Sequence, residues 1–375
     1  MDFQLTEDQR AFADMAQSLF ADFCSDDQLR AHDTSGAPFM QQLWQQCVEA
    51  GLHTIVVPEE HGGLGLGLTE LMAVLEQQGR ALALVPLWEQ QLAVATLARF
   101  GGAGAQAALP ALMEGKVAAV SLAGLAQSTG CTLQLTPAGS GWQLQGSSPA
   151  VPLAAAAGHA LLVAQAPNGP RLVWLDLQAA GVARTPGQSQ HHQEIADLQC
   201  SAVALDDDAV LAPEALAWLE PRAIAALAAL QMGVTQQQLR RTVEYVSERK
   251  QFDRAIGSFQ LVAGKMADGH IALEALRSSV WQLVYRLDAG LGATPQAHAV
   301  RALANDTGHH VGHMAQHVHG GMGVDVTYPI HRFLYWSRAL AVALGGTEHH
   351  LAALGDWLAD NDNLGWKYDL AEDEL

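Results

Sequence analysis

The sequence predicts a mostly α-helical protein with a central β domain, and three observations predict it. Apolar residues recur at helical spacing over residues 1–112. From Val117 to Pro213 the pattern changes to short alternating or continuous apolar runs, punctuated by turn residues. Beyond Pro213 long helical-period segments return. A chain of 375 residues is too long for one simple core, so it is expected to divide. The pattern changes give a helical domain over 1–112, a β domain over 113–213 and a helical bundle over 214–375.

The elements follow in order. Thr6 before Glu7 and Asp8 predicts a helix start, because acidic groups are favoured at the positive end of the helix dipole. Phe12, Met15, Leu19, Phe20 and Phe23 carry its apolar stripe. A second helix runs from about Phe39 to Ala50 and stops at Gly51. The Gly-rich stretch Pro58–Gly67 connects it to a third helix, Thr69–Ala81. That stretch is no phosphate loop, because no Lys-Ser or Lys-Thr follows it and no strand precedes it. In the middle region Cys131–Leu135, Trp142–Gln145, Ala160–Ala164 and Leu172–Leu175 read as strands. Turns at Pro137–Gly141 and Pro167–Pro170 point to an antiparallel sheet. The helical segments Glu214–Val246, Ser258–Ala289, Pro295–His317 and Pro329–Leu358 have lengths that fit a four-helix bundle.

Composition narrows the function. Asp and Glu number 39 against 20 Lys and Arg, a formal charge of −19, which excludes nucleic acid and an anionic membrane surface as partners. Hydrophobic residues make up 49% and charged residues only 16%, as expected of a chain that buries much surface or oligomerises. Cys24, Cys47, Cys131 and Cys200 lack metal-ligand spacing and read as reduced thiols, which points to the cytoplasm. The first residues form a charged helix rather than a secretory leader, and no apolar run approaches the ~20 residues of a membrane span. Only Asp369–Leu375 reads as a disordered tail.

Three ordered blocks stand out. The first joins Gln45-Gln-Cys-Val-Glu-Ala-Gly-Leu52, Val57-Pro-Glu-Glu-His-Gly-Gly-Leu-Gly-Leu-Gly67 and Leu75-Glu-Gln-Gln-Gly-Arg80. The second, residues 244–268, contains Arg249-Lys-Gln-Phe252, Ile256 and Phe259-Gln260. The third is His317-Val-His-Gly-Gly-Met-Gly-Val-Asp-Val-Thr-Tyr-Pro-Ile-His-Arg332. In content and order they resemble the acyl-CoA dehydrogenase family along nearly the whole chain. The resemblance implies an N-terminal helical domain, a middle β-barrel or sandwich and a C-terminal four-helix bundle. It also implies FAD and the α,β-dehydrogenation of an acyl-CoA thioester, with an electron-transfer protein as acceptor.

In that family the second and third blocks of one subunit reach the FAD of its neighbour. By resemblance, Arg249 would neutralise the FAD pyrophosphate through a forked, charge-assisted contact. Phe252 would pack on the cofactor, and Gln260 would supply polar contacts. Gly320 and Gly321 would let the backbone approach it. His317 stands where the family often carries a cofactor-contacting Gln.

The sequence departs from the family where a subunit serves its own flavin. The carboxylate base of most members falls at Gly345, within Leu344-Gly-Gly-Thr347. The alternative position used by other members falls at Ala223. No catalytic residue is therefore assigned. The flavin-edge loop reads Leu122-Ala-Gly-Leu-Ala-Gln-Ser-Thr-Gly130, with Ala123, Gly124 and Leu125 in place of Thr, Glu and Pro. Ala150 stands where a strand Trp would meet the flavin, and Pro152 replaces a hydroxyl residue. Losses confined to the self-serving parts imply a non-identical partner, a second acyl-CoA dehydrogenase-like subunit in an α2β2 assembly. Family members split this way act on steroid or bile-acid side chains, so a bulky acyl-CoA is expected. Two alternatives stay open: a homomeric enzyme using Glu220 or Glu348 as base, and a non-catalytic paralogue that stabilises its partner.

The histidines complete the reading. His309, His313 and His317 recur at i, i+4 and i+8, but without an HExxH pattern they read as an interface or FAD-adjacent face, with no metal. His191-His192 and His349-His350 read as a surface loop and a helix face.

Overall fold

The computed structural model describes residues 5–126 and 130–361. The tail residues 369–375 and positions 127–129 of the flavin-edge loop lie outside the described residues.

The N-terminal elements are α1 (Glu7–Phe23), α2 (Asp26–Asp33), α3 (Gln41–Glu49), α4 (Leu68–Ala81), α5 (Leu87–Phe100), and the short α6 (Ala103–Gln106) and α7 (Leu109–Met113). The first helix begins where Thr6 predicts it. The Thr6 hydroxyl accepts the Gln9 N–H at 3.2 Å, and the Gln9 side chain accepts the Thr6 N–H at 3.0 Å. This reciprocal box satisfies two donors that a helix start leaves unpaired.

The β region comprises β1 (Ala118–Ser121), β2 (Gln134–Ala138), β3 (Gly141–Pro152), β4 (His159–Ala166), β5 (Gly169–Asp176), β6 (Val182–Gln188) and β7 (Glu194–Leu205). They form one sheet in the order β1-β4-β2-β3-β7-β6, with β5 also paired to β4. Alternate residues of these strands, among them Leu135, Leu144, Leu162, Val173, Leu175 and Leu198, point into one buried core. The sheet is mixed rather than antiparallel throughout, since β1 runs parallel to β4 in the register Ala118↔His159. Parallel pairing joins strands far apart in sequence and leaves no hairpin signature, so local turn residues do not reveal it.

The C-terminal elements are α8 (Glu214–Glu248), a hairpin of β8 (Lys250–Gln251) and β9 (Arg254–Ala255), α9 (Gln260–Asp288), α10 (Thr294–His319), α11 (His331–Val342) and α12 (Gly346–Asp360). The segment Pro329–Leu358, expected as one helix, is two. Leu344 (φ 59°), Gly345 (φ 102°) and Gly346 (φ 75°) are consecutive left-handed residues that break it. No helix among the described residues is long and apolar enough to cross a membrane.

Two compact units result. One holds residues 29–71 and 84–223, including the sheet; the other holds 1–28, 72–83 and 224–375, including most of the helical bundle. Within the second, α4 and α8 cross backbone to backbone at two glycines. A Cβ on Gly79 would sit 2.1 Å from the Leu230 carbonyl oxygen, and one on Gly233 would sit 2.0 Å from that of Glu76. Arg277 of α9 pairs with Glu76 at 2.8 Å, and Arg241 of α8 forks onto both oxygens of Asp26 at 3.0 Å.

Candidate cofactor-facing site

The site grows from the C-terminal end of α8. The Arg249 N–H closes the last helical turn on the Tyr245 carbonyl at 2.9 Å, and the Arg249 carbonyl accepts the Ile256 N–H at 2.8 Å. This pins the root of the β8–β9 hairpin. At its tip Phe252 (φ 53°) and Asp253 (φ 63°) are both left-handed, as a two-residue turn of the primed type requires. That turn favours Asn-Gly. Here it carries an aromatic residue that is 87% exposed and touches Phe259 only edge-on, at 6.2 Å between ring centroids. Arg254 lies over the Phe259 ring at 4.0 Å. A strained backbone that presents a large apolar side chain to solvent is a mark of a binding element.

The Arg249 side chain is exposed and makes no hydrogen bond or ion pair among the described residues. Gln260 is the first residue of α9, exposed beside the equally exposed Leu261.

The third block lies beside this hairpin root. Tyr245 stacks on His319 with ring centroids 4.2 Å apart, and His319 meets Tyr328 at 5.6 Å. His319 is buried, bonds the Ala315 carbonyl at 2.8 Å, and is pushed down in pKa by burial, so it packs as a neutral ring. Tyr328 is pushed up, first by burial and then by Tyr245. His317 is exposed in the last turn of α10, and its carbonyl accepts the Gly320 N–H. Gly320 adopts φ 59°, ψ −133°, a conformation open essentially to glycine alone. A Cβ on Gly320 or Gly321 would meet nothing within 4 Å, whereas one on Gly323 would strike the Gln316 carbonyl at 2.4 Å. Gly323 therefore serves internal packing, and the Gly320–Gly321 backbone is left open on its outer side. Asp325 folds the following loop by accepting the Thr327 N–H and hydroxyl at 2.8 Å each, which holds its carboxyl below the usual range.

The self-serving positions behave differently. A Cβ on Gly124 would lie 2.7 Å from the Val163 carbonyl oxygen of β4, so this loop packs onto the sheet and has no room for a Glu there. Ala150 (φ 51°) sits on a β3 bulge between Ser148 and Val151, with its N–H on Asp197 at 2.7 Å. Gly345 caps α12 in the left-handed region. Ala223 is buried within α8. Glu220 is half-buried in the same helix and burial raises its carboxyl pKa; Glu348 is exposed in the first turn of α12.

Sequence reasoning missed Tyr245 and His319, the stacked pair that joins the two blocks. Their signal was positional: Tyr245 lies one helical turn before Arg249, and His319 immediately before the Gly-Gly pair. His350, read as part of a helix face, lies on the inner side of α12: it is 1% exposed and contacts His298.

The fold and this site define an acyl-CoA dehydrogenase. Residues 6–116 match the acyl-CoA dehydrogenase N-terminal domain, and residues 222–359 match the acyl-CoA dehydrogenase C-terminal domain. The chain belongs to this family of oxidoreductases, which act on the CH–CH bond of an acyl-CoA. It is 31% identical to the acyl-CoA dehydrogenase FadE27 of Mycobacterium tuberculosis, over 96% of this chain and 99% of that one. Among solved structures it is similar to the Tcur3481–Tcur3483 steroid ACAD, solved as a variant of that enzyme, at 35% identity and a TM-score of 0.88, over 94% of this chain and 98% of that one. It is also similar to the ChsE4–ChsE5 complex of Mycobacterium tuberculosis, at 30% identity and a TM-score of 0.89, over 96% of this chain and 100% of that one.

Proposed function

We propose that this chain is one subunit of a heteromeric, FAD-dependent acyl-CoA dehydrogenase, that it serves a flavin shared across the subunit interface, and that its partner supplies the catalytic base. The observation that carries this reading is the β8–β9 hairpin, whose left-handed tip holds Phe252 out in solvent beside the uncommitted Arg249 guanidinium. FAD fits this face: Arg249 offers a fork for the pyrophosphate, and Gly320–Gly321 leave their backbone open. Gln260 and His317 add exposed polar groups on the same helical unit. The flavin-edge loop of the same chain does not fit, because Ala123 has no hydroxyl and Gly124 abuts β4.

FAD, when bound, supplies the acceptor for the hydride leaving the β carbon of the acyl-CoA. The chain's own residues orient the cofactor and neutralise its diphosphate; at 345 and 223 they offer no carboxylate to take the α proton. A second acyl-CoA dehydrogenase-like subunit supplies that carboxylate, and an electron-transfer protein accepts the reducing equivalents in the cytoplasm. The substrate is an acyl-CoA with a bulky, steroid-type acyl group. Support for that step comes from the steroid ACAD among the similar structures.

One observation favours a homomeric enzyme as the second reading: Glu220 is half-buried with a raised carboxyl pKa, a property of a proton-transfer group in a dry pocket. Flavin content separates the two. Purified alone the chain is expected to hold little FAD, and co-purified with its partner about one FAD per pair of unlike chains, a share set by trans donation. Arg249→Ala is expected to deplete that FAD and leave the complex assembled. A full FAD complement in the chain alone refutes the heteromeric reading, and one in the Arg249→Ala complex refutes donation of Arg249 to the shared flavin.

A further inference from the structure

Both halves of the cofactor-facing site hang from one aromatic stack. Tyr245 and Arg249 lie one turn apart at the end of α8, and the Arg249 N–H closes that turn on the Tyr245 carbonyl at 2.9 Å. His319 is the last residue of α10 and immediately precedes Gly320. The Tyr245 and His319 rings face each other with centroids 4.2 Å apart and planes 20° from parallel. The stack therefore ties the residue that anchors the Arg249 backbone to the residue from which the Gly320–Gly321 turn departs.

Further contacts fix the stack. His319 Nδ1 bonds the Ala315 carbonyl at 2.8 Å, and since a carbonyl only accepts, that nitrogen carries the ring proton. The bond sets the plane of the imidazole, and burial keeps the ring neutral. The Tyr245 hydroxyl donates to Met322 Sδ at 3.9 Å, so the same side chain also holds the segment that follows the glycines. The packing of α8 on α10 has its own contacts elsewhere. Three turns back from His319, a Cβ on Gly308 would lie 2.5 Å from the Gln231 amide carbon. Loss of the stack thus frees the ends of the two helices and leaves their packing in place.

We propose that Tyr245 and His319 are positioning residues for the shared flavin: their stack holds Arg249 and the Gly320–Gly321 backbone in one register, so that a single FAD can meet both. The inference rests on the reading that this face serves FAD. Arg249 is exposed and Gly320–Gly321 are open on their outer side, so neither is fixed by its own surroundings. With the stack in place, their relative position is set before the cofactor arrives. Without it, that ordering is paid for out of binding free energy. Both residues act through their neighbours and need no contact with the cofactor.

The test measures the FAD dissociation constant of the complex by ultrafiltration at a series of free FAD concentrations, at a temperature where circular dichroism shows the variants folded. Tyr245→Ala is expected to raise Kd about fivefold, the order of one aromatic stack, and Tyr245→Phe, which keeps the ring, to stay within about twofold of the parent. Tyr245→Leu keeps the bulk without the flat face; it is expected to match the Ala variant and replaces it should that one fail to fold. A merely structural role would lower the thermal midpoint and leave Kd unmoved. In an Arg249→Ala background the Tyr245→Ala change is expected to cost less than it does alone, because the stack acts partly through Arg249. An unchanged Kd in Tyr245→Ala, a Tyr245→Phe that binds FAD as weakly as the Ala variant, or the full loss repeated in the Arg249→Ala background overturns the positioning role. Should Arg249→Ala itself leave Kd unchanged, its assignment to the shared flavin fails and the positioning role with it. A weakened Arg249→Ala beside an unchanged Tyr245→Ala strikes the positioning role alone.

Discussion

Replacing Phe252-Asp253 with Asn-Gly tests whether the hairpin tip is held for the cofactor at a cost to the fold. Both residues are left-handed, at φ 53° and 63°. An L-residue there costs roughly 1–2 kcal/mol, less for Asp or Asn and nothing for Gly. The double substitution therefore relieves about 2 kcal/mol. Against this stands lost packing. Phe252 is 87% exposed, so its burial contributes at most a few tenths of the ~2–3 kcal/mol of a fully buried Phe. Its edge contact with Phe259 adds about 0.5–1 kcal/mol. The balance favours the variant by about 1 kcal/mol. Denaturant unfolding of the flavin-free complex measures it, with the midpoint expected to rise at unchanged slope. The same variant is expected to retain less FAD after gel filtration, read from the flavin absorbance of the denatured protein. A variant less stable than the parent refutes the strain reasoning. A more stable one with full FAD shows that the tip does not face the cofactor.

Three further outcomes follow from the structure. Gly233→Ala is expected to destabilise the chain by at least ~2 kcal/mol in denaturant unfolding, despite the ~1 kcal/mol that Ala gains in a helix, because its Cβ would lie 2.0 Å from the Glu76 carbonyl oxygen. Glu89, enclosed in α5 with the Gln193 side chain 3.4 Å from its carboxylate, is pushed up by burial to about 7. The fold holds its proton more tightly than the unfolded chain does, so stability falls as pH rises from about 4.5 to 7, by an amount on the order of 3 kcal/mol. His191 is pushed down to about 4 by burial and by His192, so its contribution instead rises over about pH 4 to 6.5. Glu89→Gln is expected to expose that rise in thermal midpoint against pH, and an unchanged profile contradicts the assignment. Ala substituted for Arg277 removes the 2.8 Å pair with Glu76 and is expected to lower the unfolding free energy by about 1–3 kcal/mol, measured by urea titration.

The order of helices and strands was legible because periodicity changes sharply near Val117 and again near Pro213, and three blocks pin the family without any knowledge of contacts. The helix start at Thr6 was legible because capping is local. What stayed hidden is what depends on a neighbour distant in sequence. The break at Leu344–Gly346 was signalled by two adjacent glycines, yet Thr347–Leu358 continues the apolar pattern, and periodicity alone carries a helix across the gap. Nothing local in the sequence marks Gly79 and Gly233, although each is required where the two backbones touch. The middle sheet read as antiparallel, because the parallel pairing of β1 with β4 depends on a strand about forty residues away.

The same distinction separates the two halves of the candidate site. Arg249, Phe252, Gln260, His317, Gly320 and Gly321 could be named by resemblance to the family, because each lies in a contiguous block. The link between the blocks, Tyr245 on His319, could not, since an aromatic stack between α8 and α10 leaves no trace in either segment alone. Gly124 and Ala150 show the converse. In sequence they are only missing side chains. In the structure a Cβ on Gly124 would lie 2.7 Å from the Val163 carbonyl oxygen of β4, and Ala150 occupies a bulge tied to Asp197. A Glu restored at 124 would therefore meet the β4 backbone rather than open space. At position 124, then, the proposed dependence on a partner rests on packing against β4 as well as on a missing side chain.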